Sequence, residues 1–448
     1  MNKLNDLFDP VLDASSKAYP HASPPLRRSQ VGQQGWNVLR GDLPFPVAVV
    51  RQARLAHNLQ WMQQFTQSRG LYLAPHGKTT LSPQLFQRQL QAGAWGMTVA
   101  TVTQLQVALA GGARTCIIAN QVFSGPDLAQ IARLQRQHAD LRVLFLLDSP
   151  AQLAQIEQWH GASAESSGGS LPPSSSHASH QGSRQAFEVL LEIGIQGGRT
   201  GCRTVAQALA LARLARVSPA VRLCGVECFE GVGSRADGES HEAYTEAWMQ
   251  RVVQAAQACD AEGLFEADPI IVSAGGSAIF DVVALWLTPT LSKPVQGVMR
   301  SGCYLTHDQG GYQRYALAMH QRQDCGSGLQ AALEVWAQVQ STPEPGLAIL
   351  TAGKRDISYD QEMPSALRYC RRGSMSPQAA PADWQVTSLN DQHGYLRLGA
   401  KPLQDGPLAV GDLVCLGLSH PCTTFDKWRW MPLVDEAYNV VDALTTCF

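Results

Sequence analysis

Leu71-Tyr72-Leu73-Ala74-Pro75-His76-Gly77-Lys78-Thr79-Thr80 reads as a short buried strand that stops at a proline and turns at a glycine. Helix-forming residues resume after Pro83, and the same grammar then repeats along the chain. Strand-like apolar runs occupy residues 71–74, 96–100, 116–119, 142–147, 187–193, 223–228, 269–273 and 295–299. Helix-compatible stretches lie between most of them, at 82–92, 103–110, 126–137, 150–159, 204–215, 241–261 and 278–286. The runs are continuous rather than alternating, as expected of a parallel sheet whose outer face is covered by helices. Eight such units predict an α/β fold, a (β/α)8 TIM-type barrel. An open doubly wound sheet is the competing architecture, and it usually has fewer strands.

A stretch rich in Ser, Gly, Ala and His at 161–184 interrupts the rhythm. It has too few large apolar side chains to offset its chain entropy, so it predicts a flexible surface insertion, with His177 and His180 solvated. Beyond residue 320 the helical alternation fades, and strand-like runs appear at 329–339, 346–351, 384–388, 395–398 and 412–418. These predict a second, C-terminal antiparallel β domain. The expected division is a barrel over 46–320 and a β domain made of 1–45 plus 321–448, with one short strand near 36–39.

The chain has 448 residues, 45% hydrophobic and 16% charged, with a formal net charge of -2. That balance points away from nucleic acid and from acidic membrane surfaces. No apolar run is long enough to span a bilayer, and the first ten residues carry no secretory signal. Eleven cysteines without regular spacing predict reduced thiols and a cytoplasmic protein.

In such a barrel, residues at the carboxyl ends of strands face the active-site mouth. A lysine there can be partly desolvated, which frees its amine to attack a carbonyl. Lys78 holds that position; a solvated loop lysine is the plain alternative. After 187–193 comes Gly194-Ile195-Gln196-Gly197-Gly198-Arg199-Thr200-Gly201, which presents Arg199 and lacks dinucleotide or Walker spacing. An arginine fork can bind a phenolate, carboxylate or phosphate. Ser273-Ala274-Gly275-Gly276-Ser277 leads towards a predicted helix, where bare amides make an anion site. Arg300-Ser301-Gly302-Cys303-Tyr304 adds an arginine and a phenol. Lysine, arginine, phosphate loop and phenol on one face describe a site for pyridoxal 5′-phosphate.

In order along the chain, Pro75-His76-Gly77-Lys78-Thr79, Gly198-Arg199-Thr200-Gly201, Ala274-Gly275-Gly276-Ser277 and Arg300-Ser301-Gly302-Cys303-Tyr304 resemble the landmarks of the alanine-racemase-fold pyridoxal phosphate enzymes. The nearer likeness is to the D-serine dehydratase and D-threonine aldolase branch. That resemblance implies that Lys78 carries the cofactor beside His76 and that Arg199 approaches its phenolate oxygen. It also implies that Gly275, Gly276, Ser277, Gly302 and Tyr304 surround the phosphate, with Arg300 nearby. The chain departs from the pattern at Cys228-Phe229-Glu230-Gly231, where relatives tend to carry tyrosine in place of Phe229, so a ring contact on the pyridine side is expected to be lost.

Ser419-His420-Pro421-Cys422 supplies the second clue. If the segment is a strand, residues two apart share a face, so His420 and Cys422 converge, and imidazole plus thiolate suits zinc. Alone, a core histidine beside a buried cysteine is the commoner explanation. The dehydratases resemble this chain in having His-x-Cys here, whereas the aldolases tend towards His-x-Asp. The implied activity is a zinc-assisted D-serine (3-hydroxy-D-amino acid) dehydratase giving a keto acid and ammonia, in a homodimer. The alternatives are a D-threonine-type aldolase and, more distantly, a non-catalytic cofactor-binding protein. Ala352-Gly353-Lys354, Asp360 and His393 resemble segments near the site, while Trp428 and Trp430 read as packing residues.

Overall fold

The computed structural model describes residues 3–165, 185–231, 240–323, 326–401, 403 and 405–448. Its first layer is a sheet of eight parallel strands: β1 (Tyr72–Leu73), β2 (Met97–Val99), β3 (Thr115–Gln121), β4 (Arg142–Leu147), β5 (Phe187–Glu192), β6 (Val221–Cys228), β7 (Ile270–Ala274) and β8 (Val295–Met299). Consecutive strands pair in order, and β8 returns to β1 through Val298↔Tyr72 and Met299↔Leu73. The ring closes between β1 and β2 at the His76↔Thr98 bridge, where the Thr98 amide donates to the Pro75 carbonyl at 2.9 Å. This is the expected eight-stranded α/β barrel.

Side chains fill the barrel axis. Ala74, Ile117, Leu144, Leu146, Leu190, Cys224, Ile271 and Val298 form a buried cluster separate from the larger core between strands and helices. Several helices start on a hydroxyl cap. Thr101, Ser124, Thr204 and Ser240 each accept an amide three residues on, opening Val102–Ala110, Gly125–Gln137, Val205–Val217 and His241–Ala261. The sequence reading ends the helix after β4 at 159, but it continues to Glu165. The proposed insertion, with His177 and His180, lies otherwise outside the described residues, as 166–184.

The second layer is antiparallel apart from one parallel pairing, that of Val47–Arg51 with Trp430–Val434. Leu333–Glu344 pairs with Leu347–Leu350 on one side and with Leu413–Gly417 on the other, and Ser365–Cys370 and Trp430–Val434 complete the sheet's middle. Val47–Arg51, which the sequence reading takes as the opening of the barrel, lies instead in this sheet, between Leu333–Glu344 and Trp430–Val434. Burial at all five positions explains its unbroken apolar run, which is why it looks like a barrel strand. The predicted strand at 36–39 reduces to a single bridge, Asn37↔Asn439. The N-terminal arm folds back onto the sheet. Lys17 pairs with buried Asp356 at 2.5 Å, and the Trp430 indole donates to the Lys17 carbonyl at 2.8 Å. Trp428 and Trp430 are both buried.

Candidate active site

Four strand ends of the barrel and one turn of the antiparallel sheet meet around a cavity of about 170 Å³. It is lined by His76, Lys78, Thr79, Phe229, Glu230, Gly275, Gly276, Ser277, Gly302, Cys303, Tyr312, His420 and Cys422, among others. A smaller recess continues into the barrel mouth, where Lys78, Arg199, Glu227 and Arg300 meet. The structure thus brings together ten of the eleven residues marked from sequence.

Lys78 sits in the single 3-10 turn Gly77–Thr79 that follows β1. Its amide donates to His76 Nδ1 at 3.5 Å. Lys78 is exposed at the rim, not desolvated as the sequence suggests, because that turn lifts it clear of the strand. Glycine is required behind it, since a Cβ on Gly77 would meet the Phe86 ring at 2.5 Å. Burial, then the nearby cations Lys78, Arg300 and Arg199, hold His76 well below the usual imidazole range, so its ring is neutral. Three cations around one neutral imidazole make this mouth suited to a ligand carrying several negative charges.

Arg300 is buried, pairs with Glu227 and donates to the Cys228 carbonyl at 2.6 Å. Burial pushes the Glu227 carboxyl up to about 8, with Arg300 opposing it. Phe229 remains in the mouth, with Lys78 Nζ 5.7 Å and Arg199 Cζ 5.2 Å from its ring centroid. The ring that replaces the relatives' tyrosine thus stays among the cations of the mouth, without a hydroxyl.

The loop after β7 differs from expectation. No helix begins at Ser277; the next one is the short Phe280–Ala284, so the loop's own amides make the cradle. Gly275 N–H donates to Glu230 Oε2 at 3.2 Å, and Glu230 Oε1 is buried without a partner among the described residues. Burial pushes Glu230 up to about 7. Gly302 N–H donates to Ser277 Oγ at 3.2 Å, and a Cβ on Gly302 would meet the His76 carbonyl at 2.5 Å. An anion-accepting glycine amide and a close backbone approach at Gly302 fit a phosphate cradle. Tyr304 is the marked residue that does not line the cavity. It is 2% exposed, and its hydroxyl accepts from Gln89 Nε2 at 3.1 Å. Tyr312 supplies the phenol instead. Sequence carried no signal for it, nor for Thr79 and Cys303 as cavity residues.

His420 and Cys422 do not lie in a strand. The strand Leu413–Gly417 ends before them, and Pro421 opens a short helix, Cys422–Phe425. The turn, not strand alternation, brings both side chains to the cavity. A barrel loop locks it there: the Gln309 amide donates to the Leu418 carbonyl at 2.9 Å, and the Gln309 side chain accepts from the Leu418 amide at 3.0 Å. Asp360 Oδ2 lies 2.5 Å from His420 Nδ1, and Thr423 donates to Asp360 Oδ1 at 2.7 Å. Burial raises the Asp360 carboxyl, but the hydrogen bonds from Thr423 and His420 outweigh it and hold it below its ordinary value. A proton kept on Nδ1 leaves Nε2 as the donor atom for a metal. The Cys422 and Cys303 thiols lie 3.6 Å apart, and the contact holds Cys303 down, to about 6, while pushing Cys422 up. Soft sulfur, an oriented imidazole and a carboxylate behind it fit zinc, although no group of three metal-binding side chains forms among the described residues. Lys354 stands over the Tyr359 ring at 5.5 Å, and His393 sits in a hairpin turn where its carbonyl accepts from the Asn390 amide at 2.8 Å.

Residues 50–287 match the family described as alanine racemase, N-terminal domain, and residues 332–434 match the putative serine dehydratase domain. The chain belongs to the alanine-racemase-fold family of pyridoxal phosphate enzymes. It is 25% identical to the D-threonine aldolase of Arthrobacter sp. over 381 residues, 85% of this chain and 86% of that one. It is 29% identical to the D-threo-3-hydroxyaspartate dehydratase of Delftia sp. (strain HT23) over 366 residues, 79% and 83% of the two. Among solved structures, D-threonine aldolase from Filomicrobium marinum superposes with a TM-score of 0.69 at 21% identity, covering 90% of this chain and 95% of that one. The Delftia dehydratase superposes with 0.65 at 23% identity, covering 91% and 98%, and a cysteine-to-alanine mutant of it is known in a metal-free form.

Proposed function

We propose that this alanine-racemase-fold enzyme is a zinc-assisted lyase that dehydrates D-serine and related 3-hydroxy-D-amino acids to a keto acid and ammonia. The observation that carries the reading is that His420 and Cys422 line the same cavity as Lys78. An amine base and a site for a Lewis acid on one substrate-sized space suit removal of an α-proton and a β-hydroxyl from neighbouring carbons. Both curated relatives are named for 3-hydroxy-D-amino acids.

Bound pyridoxal 5′-phosphate supplies a ring that delocalises charge from the α-carbon, and zinc supplies a Lewis acid for the β-oxygen. Lys78 would hold the cofactor aldehyde and, once displaced by substrate, take the α-proton on its Nζ. Gly275, Gly276, Ser277 and Gly302 would hold the phosphate, with Arg199 on the phenolate. His76, held neutral among Lys78, Arg300 and Arg199, would line the cofactor site without adding charge. Arg300, tied to Glu227, fixes positive charge at the floor of the mouth. Tyr312 and Thr79 bring hydroxyls close to the metal pair, where they can orient the leaving oxygen. A cytoplasmic homodimer is part of the same proposal. The described cysteines are all free, and among the described residues no helix is long and apolar enough to cross a membrane.

The test is product analysis on D-serine, D-threonine and both L-enantiomers, with and without chelator. Pyruvate and ammonia from D-serine, lost on chelation and restored by zinc, is the expected result. Glycine and acetaldehyde from D-threonine would favour the aldolase reading, to which the Arthrobacter relative lends weight. Turnover of L-serine only, or indifference to chelation, would overturn the proposal.

A further inference from the structure

We infer that Arg203 is the positioning residue that holds Arg199 in place, a role resting on the proposed contact between Arg199 and the cofactor phenolate. Arg203 Nη2 donates to the Gly198 carbonyl at 2.7 Å and its Nη1 to the Thr200 carbonyl at 2.6 Å. One planar guanidinium therefore grips the backbone on both sides of Arg199. A fixed fork of donors can do this, whereas a lysine ammonium, a single point of charge, cannot span both acceptors with the same geometry.

The clasp acts on the middle of the loop, since its base is already packed: Ile193 and Cys202 are buried and Ile195 lies against the core. A cleft of about 470 Å³, lined by Ile195, Arg203, Trp248 and Arg251, borders the loop. A second, of about 260 Å³, shares Ile195 and Trp248 with it and is lined also by Glu192, Arg199, Thr200 and Phe229. Among the described residues, the part of the loop that carries Arg199 therefore faces open space, where polar ties fix backbone position. Glycines at 197 and 201, with φ of +73° and +93°, give the loop its turns but add no side chain to anchor it. Backbone bonds close the base of the loop, with the Gly194 amide donating to the Cys202 carbonyl at 2.9 Å and the Cys202 amide to the Glu192 carbonyl at 2.8 Å. Nearer the middle, Thr200 Oγ1 donates to Glu192 at 2.6 Å and the Gly201 amide to Asp148 at 3.1 Å. Of the side chains that tie this loop, Arg203 is the one that grips the carbonyls on both sides of Arg199. Gly194 makes room for the clasp, since a Cβ there would run into the Arg203 guanidinium. Among the described residues Arg203 forms no ion pair with a carboxylate, so its donors serve the loop.

If Arg203 works only through Arg199, removing it matters only while Arg199 is present. Full-length apoenzyme of wild type, Arg199→Ala, Arg203→Ala, Arg203→Lys and the double Arg199→Ala/Arg203→Ala variant is titrated with pyridoxal 5′-phosphate. The dissociation constant and the visible absorbance maximum of the bound cofactor are recorded. Arg203→Ala should weaken binding about tenfold, Arg203→Lys should rescue only part of that, and the double variant should match Arg199→Ala within about twofold in affinity and in absorbance maximum. An additive loss in the double variant would show an effect independent of Arg199 and overturn the inference. So would unchanged affinity and absorbance in Arg203→Ala while Arg199→Ala is impaired. If Arg199→Ala itself leaves both readouts unchanged, the assigned contact of Arg199 is wrong, and the inference falls with it. Should Arg203→Ala fail to fold, the Arg203→Lys variant and its double with Arg199→Ala decide by the same comparison.

Discussion

The barrel wall of the cavity and its recess takes residues from at least five separate strand ends, whereas the facing wall hangs on one turn. On the barrel side, Lys78, Arg199, Glu230, Gly275 and Arg300 each follow a different strand, and parallel pairing fixes those strand ends relative to one another. Across the cavity, His420 and Cys422 are held by Gln309, Asp360 and Thr423, which lie 60 or more residues away for the first two contacts. One wall is therefore rigid by construction, and the other depends on a few long-range hydrogen bonds. Damage to single residues should reflect the difference.

The largest effect is expected on the rigid wall, at the residue that no neighbour can replace. Lys78→Ala should abolish the cofactor's protein-bound visible absorbance and lower kcat by at least about 10³-fold, the scale of a lost nucleophile and base. The fold should survive, because the exposed side chain leaves no cavity behind. A yellow, active Lys78→Ala protein would remove the amine from the chemistry.

On the facing wall, the informative change is one step behind the metal pair. Asp360→Asn keeps the shape but weakens the hold on His420 Nδ1, so zinc affinity, measured by competition with a chromogenic chelator, should fall about 10- to 100-fold. Cofactor affinity should stay as it is. If zinc affinity is unchanged, the imidazole is fixed by the turn alone and the contrast between the walls is weaker than argued.

That contrast also explains what could be read from sequence. Strand-to-loop punctuation is local, so Lys78, Arg199, Gly275 and Arg300 could be found where an apolar run stopped. Their shared location follows from closing eight such runs into a ring. The proposed metal pair was visible as His-x-Cys only because of family likeness, and the strand geometry assumed for it was wrong: Pro421 starts a helix instead. Tyr312 carried no local pattern at all, and Asp360 was marked only by family likeness. Asp360 reaches the site through its contact with His420, 60 residues on, which no short window of residues encodes. The segment 47–51 misled for a related reason, since a strand buried on both faces has the same composition in either sheet.

Glu230 offers a finer test of the barrel wall. Its carboxyl is pushed up to about 7 from an ordinary 4.5, so it gains a proton as pH falls through neutrality. Folding then takes up a proton between those two values, and its contribution to stability declines as pH rises across that window. Removing its charge should also favour an anion on the Gly275–Ser277 loop. Sulfate remains a dianion throughout, so its affinity for the apoenzyme should rise up to about tenfold from pH 8 to pH 6, an electrostatic effect of roughly one pKa unit. Glu230→Gln should flatten that rise. A profile with the same slope in the variant would assign the titration to another group.

The smallest effect separates what sequence expected of Tyr304 from where the fold puts it. Sequence likeness sets Tyr304 beside the phosphate, yet its hydroxyl faces Gln89 in the core, and both residues are almost fully buried. Tyr304→Phe deletes that acceptor and strands a buried amide donor, a loss of about 1 kcal/mol in stability. Denaturant unfolding should register a shift in midpoint with no change in slope, while affinity for pyridoxal 5′-phosphate moves by less than about twofold. The opposite pattern, intact stability with a tenfold weaker cofactor, would mean that the phenol swings to the phosphate when the site fills. Tyr304 would then belong to the rigid wall after all, and Gln89 would be only its resting partner. Because the two readouts move in opposite directions under the two placements, one variant decides between them.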